Sequence, residues 1–283
     1  MGPSPMRKLA AVIAGLFCPL LVPAQVLYVT SGNGNLSQLY TVNPLNAQST
    51  LIGDVLIGGT TPVVITGLAF QPGTGILFGV TGSEFSPSRV LVTINPLTAQ
   101  AVSIGIVGTV RFENASDLSF AADGTLFGWT VRGGPLMTID PNTAARTVIG
   151  SSLNGTQSNG LAFTPNGTLY LAGPNAPGDL YTVNLLTGAI TSVVTLSNIP
   201  LNFGGSINAM ASDATGLLYA TGRDSGAQLV TIDTVTGVMT SMGVLSFGEA
   251  DALAFSPIPE PSTWALLAVG LGWVGLALRR RIV

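Results

Sequence analysis

The chain has 283 residues, of which 47% are hydrophobic and only 8% are charged, and its formal net charge is −3 with no histidine. So little charge excludes a polar disordered chain and a coiled coil, and the absence of histidine excludes Ser-His-Asp and Cys-His catalysis and imidazole metal ligands. The 36 glycines and 18 prolines speak against a helical bundle. The composition favours a β-rich protein outside the cytoplasm.

Residues 1–24 have the pattern of a secretory signal peptide. Two basic residues precede an apolar run from Leu9 to Val22, and Ala24 supplies the small residue that signal peptidase requires. We therefore expect an N-terminal signal helix that is removed after Ala24. The single cysteine, Cys18, lies in this segment, so the mature protein is expected to contain no disulfide bond.

A five-residue phrase recurs five times along the middle of the chain. It begins with Leu, has Thr at its third position, and its copies end at Asn43, Asn95, Asp140, Asn184 and Asp233. A turn and a further strand are expected after each copy. Asn and Asp side chains accept hydrogen bonds from backbone N–H groups two residues later, so we expect these five residues to stabilise turns and not to bind a ligand.

A second phrase alternates with the first one. Four copies end in Phe, at Phe70, Phe120, Phe163 and Phe255, and a degenerate copy covers residues 208–211. Glycine-containing turns and further strands follow most copies. Short apolar runs separated by turns at this spacing indicate an all-β protein, and the Phe side chains are expected to pack between repeats.

Each repeat therefore holds four short strands, and a four-stranded unit of about 40–50 residues is typical of a β-propeller blade. Full blades are expected near residues 66–105, 116–150, 159–194 and 207–243, with three strands near 26–30, 38–43 and 48–53 and one near 251–256. The sequence predicts an all-β, five-bladed β-propeller of four-stranded blades over residues 25–256, closed by its N- and C-terminal strands. An open β-solenoid or sandwich is the alternative, although neither fold would explain why the three N-terminal strands and the one C-terminal strand add up to one complete repeat.

The last segment, residues 257–283, has three parts. Pro259, Glu260 and Pro261 come first, an apolar run from Trp264 to Leu278 follows, and Arg279, Arg280 and Arg281 come last. As a helix the apolar part would span roughly 24 Å, which is short for a hydrocarbon core of about 30 Å. The arginines orient that end towards the cytoplasm. We expect a short C-terminal hydrophobic helix that enters the membrane.

This tail resembles the PEP-CTERM sorting signal, because all three parts are present in order. The resemblance implies a Gram-negative bacterium, export across its inner membrane, recognition by an exosortase, and removal of the tail near Pro259, Glu260 and Pro261. It also implies a transient membrane anchor, followed by location at the cell surface or in the extracellular matrix, often with exopolysaccharide or biofilm. An ordinary anchor that stays attached is the alternative and leaves the location much the same.

Polar residues interrupt the second phrase where the innermost strand of a blade begins. Asp117 replaces a Gly or Ala of other copies, Asp251 lies one place earlier in its copy, and Asn208 and Asn159 occur nearby. Because innermost strands line the channel of a propeller, we expect these four side chains at the channel mouth. They would bind Ca²⁺ or another hard cation through oxygen ligands, or sugar hydroxyls; solvated loop residues without a cofactor are the plainer interpretation.

Three functions remain open at this stage. The first is a non-catalytic, exported module that binds exopolysaccharide or another surface protein. The second is a glycan-active enzyme, which would need two carboxylates about 5–10 Å apart, drawn from Asp117, Asp251, Glu113 and Glu249. The third is a structural protein that self-associates. Nucleic acid is not expected as a partner, because residues 25–258 carry five basic and 12 acidic side chains, a net charge of −7.

Overall fold

The structure, a computed structural model, describes residues 25–257 except 33, 83–85, 109–114, 131–133, 151–159, 174–177, 202, 204–205 and 223–226. This part of the chain consists of β-strands, turns and loops, and none of its segments is a helix long and apolar enough to cross a membrane. The two flanking segments predicted to be helices lie outside the described residues.

Twenty-two strands follow one another in the described chain. The first eleven are β1 (Leu27–Ser31), β2 (Gln38–Val42), β3 (Ser49–Asp54), β4 (Leu56–Ile57), β5 (Thr61–Pro62), β6 (Ile65–Phe70), β7 (Leu77–Thr81), β8 (Val90–Ile94), β9 (Gln100–Ile106), β10 (Ala115–Phe120) and β11 (Leu126–Thr130). The others are β12 (Leu136–Ile139), β13 (Arg146–Gly150), β14 (Leu161–Phe163), β15 (Leu169–Ala172), β16 (Asp179–Val183), β17 (Ile190–Thr195), β18 (Ile207–Ser212), β19 (Leu218–Gly222), β20 (Gln228–Ile232), β21 (Met239–Val244) and β22 (Ala250–Phe255).

Twenty of these strands form five antiparallel units of four strands, which are the five blades of a propeller. From the inner to the outer strand, blade 1 is β22-β1-β2-β3, blade 2 is β6-β7-β8-β9, blade 3 is β10-β11-β12-β13, blade 4 is β14-β15-β16-β17 and blade 5 is β18-β19-β20-β21. The five-bladed propeller with four-stranded blades is therefore confirmed. Blade 2 carries one addition that the repeats did not predict, because the hairpin β4-β5 joins the outer edge of β9 in parallel.

Blade 1 closes the ring by combining strands from both ends of the chain. Leu27 of β1 pairs with Val42 of β2 on one side and with Phe255 of β22 on the other. Beyond these strands, Ser256 donates its N–H to the carbonyl oxygen of Val26 at 2.8 Å. The N-terminal strands thus gain the inner strand that they lack in sequence, as the count of strands predicted.

The hydrophobic core is divided into five clusters, and each cluster lies between two neighbouring blades. Outer strands also approach the next blade closely. A Cβ built on Gly105 in blade 2 would lie only 2.8 Å from the carbonyl oxygen of Thr143 in blade 3. Thr143 lies in the turn that precedes β13, and the next residue, Ala144, has a left-handed backbone conformation with a φ of 61°. The Ile-Gly pair near the end of this outer strand is therefore explained by backbone contact between blades.

The repeated Phe residues, which are the last residues of the inner strands, pack between neighbouring blades, as predicted. Edge-to-face aromatic pairs connect four of the five blade interfaces: Tyr28–Phe70, Phe78–Phe120, Phe127–Phe163 and Tyr219–Phe255, with ring centroids 5.3, 5.4, 5.3 and 5.0 Å apart. At the interface of blades 4 and 5 the corresponding positions hold Tyr170 and Ser212. This interface therefore lacks the second ring.

The connections between strands lie at two opposite ends of the blades. One end, which we call the turn face, holds the turns at residues 43–48, 71–76, 95–99, 121–125, 140–145, 164–168, 184–189, 213–217 and 233–238. The opposite end, the crossover face, holds the remaining loops and the crossovers from each outer strand to the next inner strand. Inner strands begin at the crossover face, so the predicted site residues belong to this end of the channel.

Candidate functional site

The inner strands share an irregularity near the crossover face. In four of them the pairing register shifts by one residue, and the residue that is left out of the ladder is polar: Thr66, Ser116, Asn208 or Asp251. A bulge of this kind redirects a side chain away from the regular alternation. Asn159 precedes β14 at the corresponding place in sequence, but it lies outside the described residues, as does Glu113.

Asn208 and Asp251 are brought together by neighbouring blades. The Nδ2 of Asn208 donates to Oδ1 of Asp251 at 2.8 Å and to the carbonyl oxygen of Ala250 at 2.9 Å. Asn208 is buried, whereas Asp251 is half-buried. A Cβ built on Gly32 would lie 2.6 Å from Oδ1 of Asp251, so the absence of a side chain at Gly32 makes room for this carboxylate.

The bulge residue of blade 3 has a backbone partner. The hydroxyl of Ser116 donates to the carbonyl oxygen of Trp129 at 3.0 Å. Thr66 differs, since its Oγ1 is buried without a hydrogen-bond partner. Sequence analysis did not single out Thr66 or Ser116, although aligning the second phrase on its Leu or Met would have placed both beside Asn208 and Asp251.

Asp117 lies deeper than these residues and is completely buried. Its Oδ1 accepts the N–H of Leu118 at 2.8 Å, and its Oδ2 accepts the N–H of Leu161 in blade 4 at 2.8 Å. The backbone N–H groups of Leu68 in blade 2 and Met210 in blade 5 also stabilise the carboxylate. The inner edges of innermost strands have no neighbouring strand, so their amides need another acceptor. Asp117 is that acceptor for four blades.

Burial raises the pKa of Asp117 well above its ordinary value, and the four backbone N–H groups act in the opposite direction. The charged form is disfavoured because water is excluded, whereas each donated hydrogen bond favours it. Gly67 shows how tightly the blades meet at this level, since a Cβ built there would lie 2.8 Å from the Cα of Asp117. The carboxylate thus holds the inner strands together instead of facing solvent at the channel mouth.

The channel contains a cavity between Asp117 and the turn face. It is a cavity of about 120 Å³, lined by residues from the inner strands of all five blades. The hydroxyl of Ser119 in its wall accepts the N–H of Phe163 at 2.9 Å, which ties blade 3 to blade 4. The surface that lines this cavity is mainly polar, so this space is suited to ordered water.

The described residues do not fit a calcium site. Asp251 is a single carboxylate, and Asn208 presents its side-chain nitrogen to it, whereas Ca²⁺ takes six to eight oxygen ligands. Within the described ranges, no three acidic, histidine or cysteine side chains gather in a way that could hold a metal ion. A hydrogen-bonded carboxylate and amide suit the hydroxyl groups of a neutral ligand better.

Two further residue types have structural explanations. The Asn and Asp residues that end the first phrase accept hydrogen bonds within their own turns, for example from Leu45 N–H to Asn43 Oδ1 at 2.9 Å. These bonds lower the pKa of Asp140 and Asp233. Trp129, the one tryptophan between the two terminal segments, is completely buried between blades 3 and 4, so it provides no exposed platform for a sugar ring.

The tail is identified by comparison with known protein families. The sequence pattern described as the PEP-CTERM protein-sorting motif matches residues 257–281. The chain carries a PEP-CTERM sorting motif. This motif indicates an exported protein of a Gram-negative bacterium and implies processing by an exosortase. The motif covers the tail alone and leaves the activity of the propeller open.

Solved structures resemble the propeller at low sequence identity. A chain of a nidogen/laminin complex superposes with a TM-score of 0.52 and 12% identity over 82% of this chain and 98% of that one. A protein of unknown function from Bacteroides caccae gives 0.50 and 14% over 83% and 99%. XC5397 from Xanthomonas campestris, described as a gluconolactonase, gives 0.50 and 14% over 82% and 83%. These likenesses show the fold alone. No curated protein sequence matches this chain.

Proposed function

We propose that the mature protein is a non-catalytic binding module of the cell surface or extracellular matrix, and that it contacts exopolysaccharide through Asp251 and Asn208. The sorting motif supports the destination, since it marks an exported protein that an exosortase processes. Signal peptidase acts on the N-terminal segment, and the C-terminal hydrophobic helix holds the precursor in the membrane until the tail is removed near Pro259, Glu260 and Pro261.

The observation that carries the binding role is the hydrogen-bonded pair of Asn208 and Asp251 at the crossover-face end of the channel. Asp251 is half-buried, and the hydrogen bond from Asn208 fixes the position of its carboxylate. A fixed carboxylate next to an amide recognises vicinal hydroxyl groups, because it accepts hydrogen bonds from them in a defined geometry.

The same geometry supports binding more than glycoside hydrolysis. Hydrolysis needs two carboxyl groups that both reach the substrate. Asp117 is completely buried and its oxygens accept backbone N–H groups. Asp117 is therefore removed from such a pair, whereas Glu249 is half-buried two residues before Asp251 and Glu113 lies outside the described residues.

Glycan binding by residues 25–257 tests this proposal. All 22 strands and the five core clusters lie within these residues, so this part contains the complete ring. A glycan array and a pull-down with exopolysaccharide, each with and without Ca²⁺, should give Ca²⁺-independent binding. Asp251→Asn keeps the shape and removes the charge, and we expect it to weaken binding by about tenfold.

Asp54→Asn is the matched control, because Asp54 is an exposed acid at the end of an outer strand and accepts a hydrogen bond from Gln38 Nε2 at 2.8 Å. Unchanged binding in Asp251→Asn would remove this pair from the site. Failure of the unmodified ring to bind any glycan would overturn the proposed function.

Self-association is a second candidate, favoured by the outer strands. β17 and β21 contain no charged residue, and Val193 and Val244 are more than half exposed on them. Exposed edges of this kind lead to pairing between chains unless charges or bulges interrupt them. Sedimentation of residues 25–257 at rising concentration decides this point: a monomer at all concentrations would exclude self-association of the ring.

A further inference from the structure

Both ends of the propeller leave from the turn face, next to each other. Val26 N–H donates to Oγ of Ser256 at 2.9 Å, and the Nε2 of Gln25 donates to the carbonyl oxygen of Ser256 at 2.8 Å. The Oε1 of Gln25 accepts the N–H of Ala214, which lies in a turn of blade 5, at 2.6 Å. In sequence each end continues into an apolar segment.

The turn face also carries exposed aliphatic side chains at equivalent positions. In four blades the second residue after the Asn or Asp of the first phrase is aliphatic and 75–87% exposed: Leu45, Leu97, Leu186 and Val235. The N–H of each donates to that Asn or Asp at 2.9 Å, so all four tips have the same backbone geometry. Blade 3 has Asn142 at this position, with the corresponding bond at 2.8 Å.

The chain between the ring and the apolar tail is short. Pro257 is the last described residue, and the apolar run begins at Trp264. Fully extended chain covers at most about 3.5 Å per residue, so this link reaches about 25 Å. If the tail is in a bilayer, the turn face is therefore held within about 25 Å of the place where the tail enters.

We infer that the turn face docks on the surface of a lipid bilayer through the four aliphatic tips while the tail is attached. This inference rests on the membrane attachment in the proposed function. Exposed aliphatic tips on one face bind a membrane by burying apolar area at the boundary between headgroups and acyl chains. Four tips spread around a ring would also fix the propeller axis along the membrane normal, which leaves the crossover face turned away from the lipid.

The charge of this face determines the kind of bilayer. Asp123, Asp140 and Asp233 are exposed in its turns, and Asp213 is half-buried in another turn. Anionic headgroups would repel these carboxylates, and salt would screen the repulsion. The surface therefore fits a zwitterionic bilayer, and binding should weaken when phosphatidylglycerol replaces phosphatidylethanolamine at low salt.

The first test places a polarity-sensitive dye on the full chain in phosphatidylethanolamine/phosphatidylcholine vesicles. Cys18→Ser removes the natural thiol, and Leu186→Cys or Leu201→Cys introduces a new one. Leu201 is a matched control because it is also 87% exposed but lies on the crossover face. Flotation with the vesicles shows first that the tail is attached. Blue-shifted emission at position 186 but not at 201 is expected, and equal emission at both positions would overturn docking.

The second test uses residues 25–257 and the same vesicles, and it decides on docking even if the full chain does not float. Replacing the four tips by Asn copies the residue that blade 3 already has at this position, so folding should be unchanged in thermal unfolding. We expect vesicle binding to fall by about tenfold or more, and Asn142→Leu to strengthen it. Vesicle binding that is absent in the unmodified ring, or equal in the Asn variant, contradicts the inference.

Discussion

Replacing Asp117 with alanine is expected to loosen the centre of the ring. The carboxylate accepts two backbone N–H groups at 2.8 Å, from Leu118 and Leu161, in a site without solvent exposure. Hydrogen bonds to a charged acceptor contribute about 1.5–3 kcal/mol each, so removing the acceptor puts about 3–6 kcal/mol at risk. Release of the buried charge offsets part of this loss. We expect a net loss of about 3 kcal/mol, or roughly 6–12 °C in Tm for a domain of this size.

Chemical denaturation of residues 25–257 measures this loss, and added formate gives it a specific signature. A formate ion is small enough to replace the missing carboxylate between the amides, so it should restore part of the stability of Asp117→Ala. Asp123→Ala is the control, because Asp123 is an exposed turn acid with no role at the ring centre. Asp117→Gly copies Gly67 and Gly160 of two other blades. A Gly variant as stable as the parent, with no response to formate, would refute the argument.

Three further changes follow from the contacts. Because the pKa of Asp117 is raised, the folded protein holds the proton of this carboxyl group more tightly than the unfolded chain does. The free energy of unfolding should therefore fall as pH rises from about 4 towards the raised pKa. Denaturation at a series of pH values should show this slope in the parent, and the slope should be absent in Asp117→Asn. Ser212→Phe should supply the missing ring beside Tyr170 and stabilise the fold by about 0.5–1.5 kcal/mol, with Ser212→Ala as the calorimetric control. Gly105→Ala should lower Tm, because its Cβ would lie 2.8 Å from the carbonyl oxygen of Thr143; an unchanged Tm would mean that the outer strands have room to move.

The architecture could be predicted because local signals repeat. The first phrase combines a strand and an Asx turn in ten or so residues, and five copies of it fix the number of blades without any knowledge of long-range contacts. The odd strand ending at Phe255 then had to complete blade 1. The hairpin β4-β5 was not predicted, since its two-residue strands are too short to have a periodic pattern and form through pairing with β9.

The site was harder to predict because it depends on register. Asp117 and Asp251 differ by one place in the second phrase, and in sequence this looks like a small irregularity. In the structure the bulge separates the two positions: Asp251 is the residue left out of the ladder and stays half-buried, whereas Asp117 follows the bulge and is enclosed among amides. The bulges become visible only when two strands are paired.

The shared blade also sets the order of events during export. An exported chain crosses the membrane with its N-terminus first, so β1, β2 and β3 arrive early and wait for β22, which begins about 200 residues after β3 ends. Pairings that are so distant in sequence form late in folding. The sorting motif begins at residue 257, two residues after β22 ends. The ring can therefore close only when translocation has almost reached the motif, and the last step of folding coincides with the arrival of the segment that an exosortase recognises.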